Sequence, residues 1–518
     1  MMYFRRPVFV RRWSALAPAL ALAMLAGCQQ HAMFIPSRLQ HPIDRAVVEY
    51  PAGYELKLAA RFLTAPSAIA FDSDGSVIIA ENALGGDEVR IFGFKNDGTR
   101  FDIYPRKNIA MPLGIAKGKF LVRGPVGGMV VANNRLYVTH RDANDRGVVT
   151  SFDDKGNPTT VVADLPAEGD YGVTDVAISP DGGRLYFGVG SVTNSGVVGA
   201  DNWEAWTHKH EQTADLPGVP LKLLGYRFDS PNPRANFFGG NSLAVTAPFQ
   251  PFGQSKQTWV RPPENGKPSA AIYSVSPKGG DVSVEANGLR YARGLAFNAY
   301  GRLYATNAGM ELRGTRPVKD DPNTLLRVVR GTWYGWPDYS ADLWPINDPR
   351  FQPPSEMMIK SGYAELSFLI DHQASGLLRP DRHTLLQATF PVEAGAARLD
   401  FVPADSAFRE YRGSAIIALS GNHAEAAGQE SAPVGRKIVC VDVDARQTSD
   451  FVFNIRNISG RTANETVELL ERPVDVKFSP DGSMYILDCG RVDYDADGQP
   501  KTIYPLTGKL YRLQRTAK

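Results

Sequence analysis

One pattern recurs six times along this chain, and no other feature limits its fold as strongly. Each copy is a short run of small and apolar residues, a tight turn, and a second apolar run. The copies are "SAIAFDSDGSVIIAEN" (67–82), "GGMVVANNRLYVTHR" (127–141), "VTDVAISPDGGRLYFGVG" (173–190), "ARGLAFNAYGRLYATNAG" (292–309), "RLDFVPADSAFREYRGSAIIALS" (398–420) and "VDVKFSPDGSMYILDCG" (474–490). Side chains alternate between the two faces of a strand, and Asp-Gly or Asn-Asn supplies the left-handed backbone of a hairpin turn. One such hairpin buries little surface. Six arranged around an axis cover one another, which predicts an all-β, six-bladed β-propeller.

The remaining chain fits that reading. The 49 glycines and 37 prolines suit many turns and short strands. There are about 82 residues per blade, against the ~40–50 of minimal blades. The excess lies in long inter-strand insertions, chiefly 193–268 and 313–381. No linker divides residues 44–518, so they form one domain.

The amino terminus is a targeting segment. Arg5, Arg6, Arg11 and Arg12 precede an apolar run from Ser14 to Leu25, too short for a good membrane span, and then Leu25-Ala26-Gly27-Cys28. That order resembles a bacterial lipobox, with cleavage before Cys28 and lipid on Cys28. Residues 1–27 are then a lipoprotein signal peptide; an ordinary secretory signal with a chance cysteine is the alternative. Gln29 after the cysteine resembles an outer-membrane address. The expected product is periplasmic and held to the membrane only by its lipid, with residues 28–43 as a tether. Losing four arginines takes the net charge from +2 to −2, which does not suggest nucleic-acid binding. Cys440 and Cys489 then remain, either as a disulfide or as two buried thiols.

In a propeller, residues just before each inner strand gather at one end of the tunnel. Aligning the copies on Phe71, Val131, Ile178, Phe297, Phe401 and Phe478 places Tyr171 and Arg290 in one register and Arg472 one position later. Asp175, Arg398 and Asp475 share a deeper register, with Arg123 and Arg293 close by. Several guanidiniums at one mouth suit a planar anion. Pairing with acids of neighbouring blades is the other use for each.

"NGLRYARGLAFNAYGRLYATNAG" followed by "LLRVVRGTWYGWPDYS", with "FGVGSVTNSGVVGADNW", "DPRFQPP", "EYRGSAIIALSGNH" and "RPVDVKFSPDGSMYILDCG", resembles the glucose/sorbosone dehydrogenases, and within them a sorbosone-dehydrogenase-like bacterial lipoprotein branch. The resemblance runs from Leu56 to Leu513. It implies pyrroloquinoline quinone (PQQ) over the tunnel mouth, Ca²⁺ on its quinone, a sugar or aldose as substrate, and an external electron acceptor. It implies Arg290 and Arg472 as cofactor-binding cations, to which the register adds Arg293, Arg398 and Arg123, and it implies Asn307 and Gly309 at the metal. The family's proton-abstracting histidine is replaced: Asp170-Tyr171 stands where the relatives have Asp-His. Tyr291 stands where an asparagine is common, and Val474 where a second basic residue is. The family's lysine has no clear counterpart near Ser420-Gly421-Asn422.

Tyr171, Asp170 and Asp175 are therefore the candidate proton acceptors. A phenol with an ordinary pKa near 10 is a poor base at neutral pH. A non-catalytic binding propeller is one alternative. A Ca²⁺-dependent sugar lactonase using Asp175, Asn307 and Asp475 is another. Trp333 and Trp344 are candidates for stacking on a sugar. Asp493, Asp495 and Asp497 before Gly498 have the spacing of a Ca²⁺ loop, but the twelfth position is Tyr504 rather than Glu. A polar hairpin is the expectation there.

Overall fold

The computed structural model describes residues 32–81, 89–105, 122–235, 241–359, 362–421, 434–455, 469–494 and 500–516. Six sheets stand around one axis as a six-bladed β-propeller. Their innermost strands are Pro66–Phe71, Arg123–Ala132, Val173–Ile178, Ala292–Phe297, Ala396–Phe401 and Pro473–Phe478. Each packs against the next, and the sixth returns to the first. These are the first halves of the six repeated hairpins. The second halves, such as Leu185–Val189 and Leu303–Asn307, pair with them antiparallel.

The inner strands approach so closely that side chains are excluded at some crossings. A Cβ on Gly294 would lie 2.6 Å from the Ala397 carbonyl oxygen of the next blade, and Gly127 meets the Thr174 oxygen in the same way. Between blades the cores are apolar. Leu399, Ile417 and Val439 of blade 5 pack with Leu325 and Phe390 of blade 4, for example.

The ring is closed by strands from opposite ends of the chain. Blade 6 contains Pro473–Phe478, Met484–Asp488 and Gly508–Arg515, and then the amino-terminal strand Tyr54–Leu63. Leu56 and Leu63 of that strand are fully buried. Val48–Glu49 adds to blade 5 in the same manner. The stretch expected as a tether is partly built in: Met33–Phe34 pairs with Ala60 and Arg61, and Ile43 enters the core. Burying an apolar side chain there stabilises it more than solvation as a linker would.

The two long insertions pack against each other. Val197, Leu223 and Phe249 from the first share a core with Phe351, Leu369 and Ile370 from the second. Thr332–Trp333 extends blade 3 as a parallel outer strand beside Ser283–Asn287. Cys440 and Cys489 are unpaired buried thiols in different cores, so no disulfide joins them. Val492–Tyr494 and Pro500–Ile503 form the polar hairpin, with the Tyr504 hydroxyl donating to Asp493 at 2.7 Å. Asp495, Asp497 and Gly498 lie outside the described residues, as do Cys28 and Asn422.

Candidate functional site

Second strands run antiparallel to inner strands, so the loops that follow them return to the end where inner strands begin. Asp170 and Tyr171, before the inner strand of blade 3, therefore meet Arg290, before that of blade 4. Glu311 and Arg313 join them from the loop after Leu303–Asn307. The Tyr171 hydroxyl accepts from Arg290 Nη2 and from Arg313 Nη2 (3.0 Å), and donates to Glu311 Oε1 (3.2 Å). Arg290 Nη2 and Arg313 Nε lie 3.0 and 2.5 Å from the two Glu311 oxygens.

This network closes on itself. Arg290, 2 % exposed, donates Nε to the Asn194 carbonyl (3.1 Å), Nη2 to Asn194 Oδ1 (2.8 Å) and Nη1 to the Gly309 carbonyl. Asp170 accepts from Trp206 Nε1 (2.7 Å), Asn202 Nδ2 (3.0 Å) and Arg313 Nη2 (2.7 Å). Burial pushes the Tyr171 phenol well above its ordinary value, against the opposing pull of Arg290. Against the desolvation of its half-buried site, Glu311 is held well below the usual carboxylate range by Arg290 and Arg313.

Two expectations change here. Tyr171 is not poised as a base, because burial disfavours its phenolate and its oxygen already has three partners. Arg290 is not free to grip a cofactor carboxylate, because each of its nitrogens already donates within the protein. Sequence reasoning missed Glu311 and Arg313, which lie in an insertion outside the repeat register.

The deeper register forms the tunnel floor, and Arg398 is its hub. Its guanidinium donates to the carbonyls of Ser67, Val474 (3.3 Å), Val126 (3.4 Å) and Gly127, and its Nε lies 3.6 Å from Asp175 Oδ1. One side chain from blade 5 thus ties blades 1, 2, 3 and 6. Arg398 is a strut of the fold rather than a rim cation. Asp175 is a seam residue: its carboxylate accepts from Val176 N (2.9 Å) and from Leu295 N of the next blade (3.1 Å). Asp475 repeats the arrangement at Ile69 N (2.9 Å). Its other oxygen, Oδ1, is buried without a hydrogen-bond partner in the protein. Burial pushes the Asp475 carboxyl up to about 6, with Lys477 and Arg398 pulling the other way.

The other predicted cations lie at the rim in differing settings. Arg123 pairs with Asp145 at 3.3 Å and is held on blade 2. Arg293 donates to Ser420 Oγ at 3.1 Å. Arg293 and Arg472 both act on the Cys489 thiol, which burial nonetheless raises to about 12. Arg141, unmarked in the sequence except as the end of a repeat, donates Nη2 to the Gly169 carbonyl at 3.0 Å. Its Nε is buried with no partner in the protein, and burial lowers the guanidinium from its ordinary value. A Cβ on Gly172 would touch that guanidinium at 3.0 Å. Beside it, the Tyr171 and Tyr291 rings lie 4.8 Å apart.

The expected metal and stacking residues are placed otherwise. The Gly309 carbonyl faces the Arg290 guanidinium, and Asn307 Oδ1 accepts from Tyr291 N at 3.0 Å. A cation on Gly309 would meet a buried guanidinium. Among the described residues no cluster of three His, Cys, Asp or Glu side chains could hold a metal ion. Trp333 packs in the insertion core against Tyr339 and His372. Trp344 lies beside Arg350 and Arg382 rather than at the mouth.

No family model matches the chain, and no curated protein matches it by sequence. Solved structures do match. One is the PQQ domain of a pyranose dehydrogenase from Coprinopsis cinerea, 14 % identical, covering 92 % of this chain and 98 % of that one with a TM-score of 0.51. Another is the PQQ-bound aldose sugar dehydrogenase from Streptomyces coelicolor, 15 % identical, covering 90 % and 99 % with a TM-score of 0.44. A streptogramin B lyase also matches, 13 % identical, covering 89 % and 98 % with a TM-score of 0.34. At these identities the likeness to the pyranose dehydrogenase domain speaks for the six-bladed fold, which hosts more than one chemistry.

Proposed function

We propose that this protein is a propeller oxidoreductase that holds a planar, carboxylate-bearing quinone of the PQQ kind at the tunnel mouth and oxidises a sugar or aldose there. The observation that carries the reading is the Arg141 Nε, a buried donor without a partner, at the same end of the ring as Arg293 and Arg472, which both act on Cys489. Buried donors are rarely left unsatisfied, and guanidiniums match carboxylates in two-point geometry. The anion-holding part of the site therefore fits the cofactor. The Ca²⁺ position that the resemblance implies at Asn307 and Gly309 does not fit, and no step is assigned to it.

When bound, such a quinone supplies a two-electron acceptor. The chain supplies the remainder. Arg141, Arg293 and Arg472 bind and orient the anion. The Tyr171–Tyr291 pair forms an aromatic wall. The Arg290–Glu311–Arg313 network fixes that wall in place. No proton acceptor is assigned: Asp475 has an unpartnered oxygen but is fully buried in the tunnel floor beside Arg398 and Lys477, out of reach of a substrate at the mouth. The lipid on Cys28 would anchor the enzyme at the outer membrane, facing the periplasm, with an external acceptor taking the electrons.

A second reading, a propeller that binds a ligand without turnover, is favoured by the closure of Tyr171 between two arginines and Glu311. The lactonase reading loses support, because Asp175 and Asp475 lie among Arg398 and Lys477 rather than around a cation site. The test is to add PQQ to the mature protein with and without Ca²⁺, follow the cofactor spectrum, and then add aldoses with a dye acceptor. Binding with dye reduction supports the oxidoreductase. Binding alone selects the second reading. Absence of both overturns the first.

A further inference from the structure

On the flank of the propeller lies a cleft of about 510 Å³, lined among others by Trp344, Arg379, Arg382, His383, Gln387 and Arg446. It runs along the outer strand of blade 4, Leu386–Val392, and reaches the start of Gln447–Asn454 in blade 5. No Asp or Glu lines it, and none of its residues belongs to the tunnel mouth.

Two of its cations are held chiefly by backbone carbonyls. Arg382 donates Nε to the Asp342 carbonyl at 3.0 Å, and Arg446 donates Nη2 to the His383 carbonyl at 2.6 Å. The acid behind them is Asp342, 4 % exposed. It is shared between Arg350 at 3.4 Å and Arg382 at 3.9 Å. Asp381 is occupied locally, accepting from His383 N and the Thr384 hydroxyl. The Trp344 ring is 37 % exposed, with the Arg350 and Arg382 guanidiniums each 5.3 Å from its centre.

We propose that this cleft binds an acidic saccharide, with its carboxylates on Arg379, Arg382 and Arg446. Guanidinium forks match carboxylates. A small inorganic anion would use only those forks. The exposed indole and the side chains of Gln387, Thr389 and Thr448 offer the apolar surface and hydroxyl partners that a sugar ring uses. The volume falls within the roughly 300–1,000 Å³ of small-molecule sites. This site stands independently of the chemistry at the tunnel mouth.

The test is calorimetric titration of the full chain with a tri-uronate, a neutral trisaccharide, a sulfated trisaccharide and inorganic phosphate. The tri-uronate is expected to bind at least about tenfold more tightly than the neutral sugar, with an affinity that falls as salt rises. The double variant Arg379→Glu, Arg446→Glu is expected to lose at least about tenfold in affinity while keeping the unfolding temperature. Equal binding of neutral and acidic sugars overturns the proposal. So does phosphate binding as tightly as the tri-uronate, a preference for the sulfated sugar, unchanged binding in the double variant, or no binding at millimolar concentration.

Discussion

Arg290 places its guanidinium carbon 4.3 Å from the centre of the Tyr171 ring and donates to the hydroxyl of that same residue. One arginine thus stabilises both the face and the polar end of the tyrosine, and the phenol keeps its proton. Tyr171→Phe is expected to cost about 1–3 kcal/mol of stability, since the buried Arg290 and the partly buried Arg313 lose an acceptor. In an active enzyme it should leave the pH profile of turnover unchanged. Chemical denaturation and a pH–rate series check both parts, and loss of an alkaline limb would restore Tyr171 as the base.

Arg398 joins four other blades through backbone carbonyls and Asp175. Arg398→Ala leaves those oxygens facing one another without their guanidinium, and a loss of about 3–5 kcal/mol is expected. The exposed ring of oxygens is of the hard type that Ca²⁺ prefers. Added Ca²⁺ is therefore expected to raise the variant's unfolding temperature and leave that of the wild type unchanged. Thermal scans with Ca²⁺ and with chelator decide it.

Asp215 is buried, accepting from Val192 N (2.6 Å) and the Thr193 hydroxyl (2.5 Å), and burial pushes its carboxyl up to about 7. Its folded pKa lies above the unfolded value near 3.8, so the native state holds a proton that the unfolded chain releases. This group's contribution therefore falls as pH rises from about 4 to about 7. Asp215→Asn should flatten the decline of the unfolding temperature across that window. An unchanged slope would place the raised pKa elsewhere.

Both thiols are raised by burial, Cys489 to about 12. Thiolate is the reactive form, so alkylation at pH 8 is expected only after denaturant is added. Mass spectrometry of the native and unfolded protein reads this directly.

Leu56 of the closing strand is fully buried between blades. Leu56→Ala is expected to cost about 2–5 kcal/mol, comparable to a core change inside any blade. A cost below about 1 kcal/mol would mean that the ring does not depend on this strand.

The six inner hairpins were legible because strand alternation and turn chemistry are local properties. The alignment on Phe71, Ile178, Phe297, Phe401 and Phe478 falls on the last residue of five inner strands. What register could not reveal was direction and partnership. Arg290 and Arg398 stand in the expected rows, but one turns to Glu311 and the other spans the tunnel. Glu311 and Arg313 come from an insertion with no repeat to align, so only folding brings them to Tyr171. Trp333 and Trp344 are neighbours in sequence, yet one lies in the insertion core and the other on the propeller flank.

The clasp of blade 6 also sets a timetable for folding. Tyr54–Leu63 precedes all six inner strands in the sequence, whereas its partner Gly508–Arg515 follows them all. Until those residues arrive, Tyr54–Leu63 and Met484–Asp488 both keep open edges, and blades 1 to 5 form an arc rather than a ring. A chain lacking Gly508–Arg515 would thus leave two unpaired strand edges at the mouth of the gap, a template for joining other chains. Closure of the ring waits for the strand Gly508–Arg515.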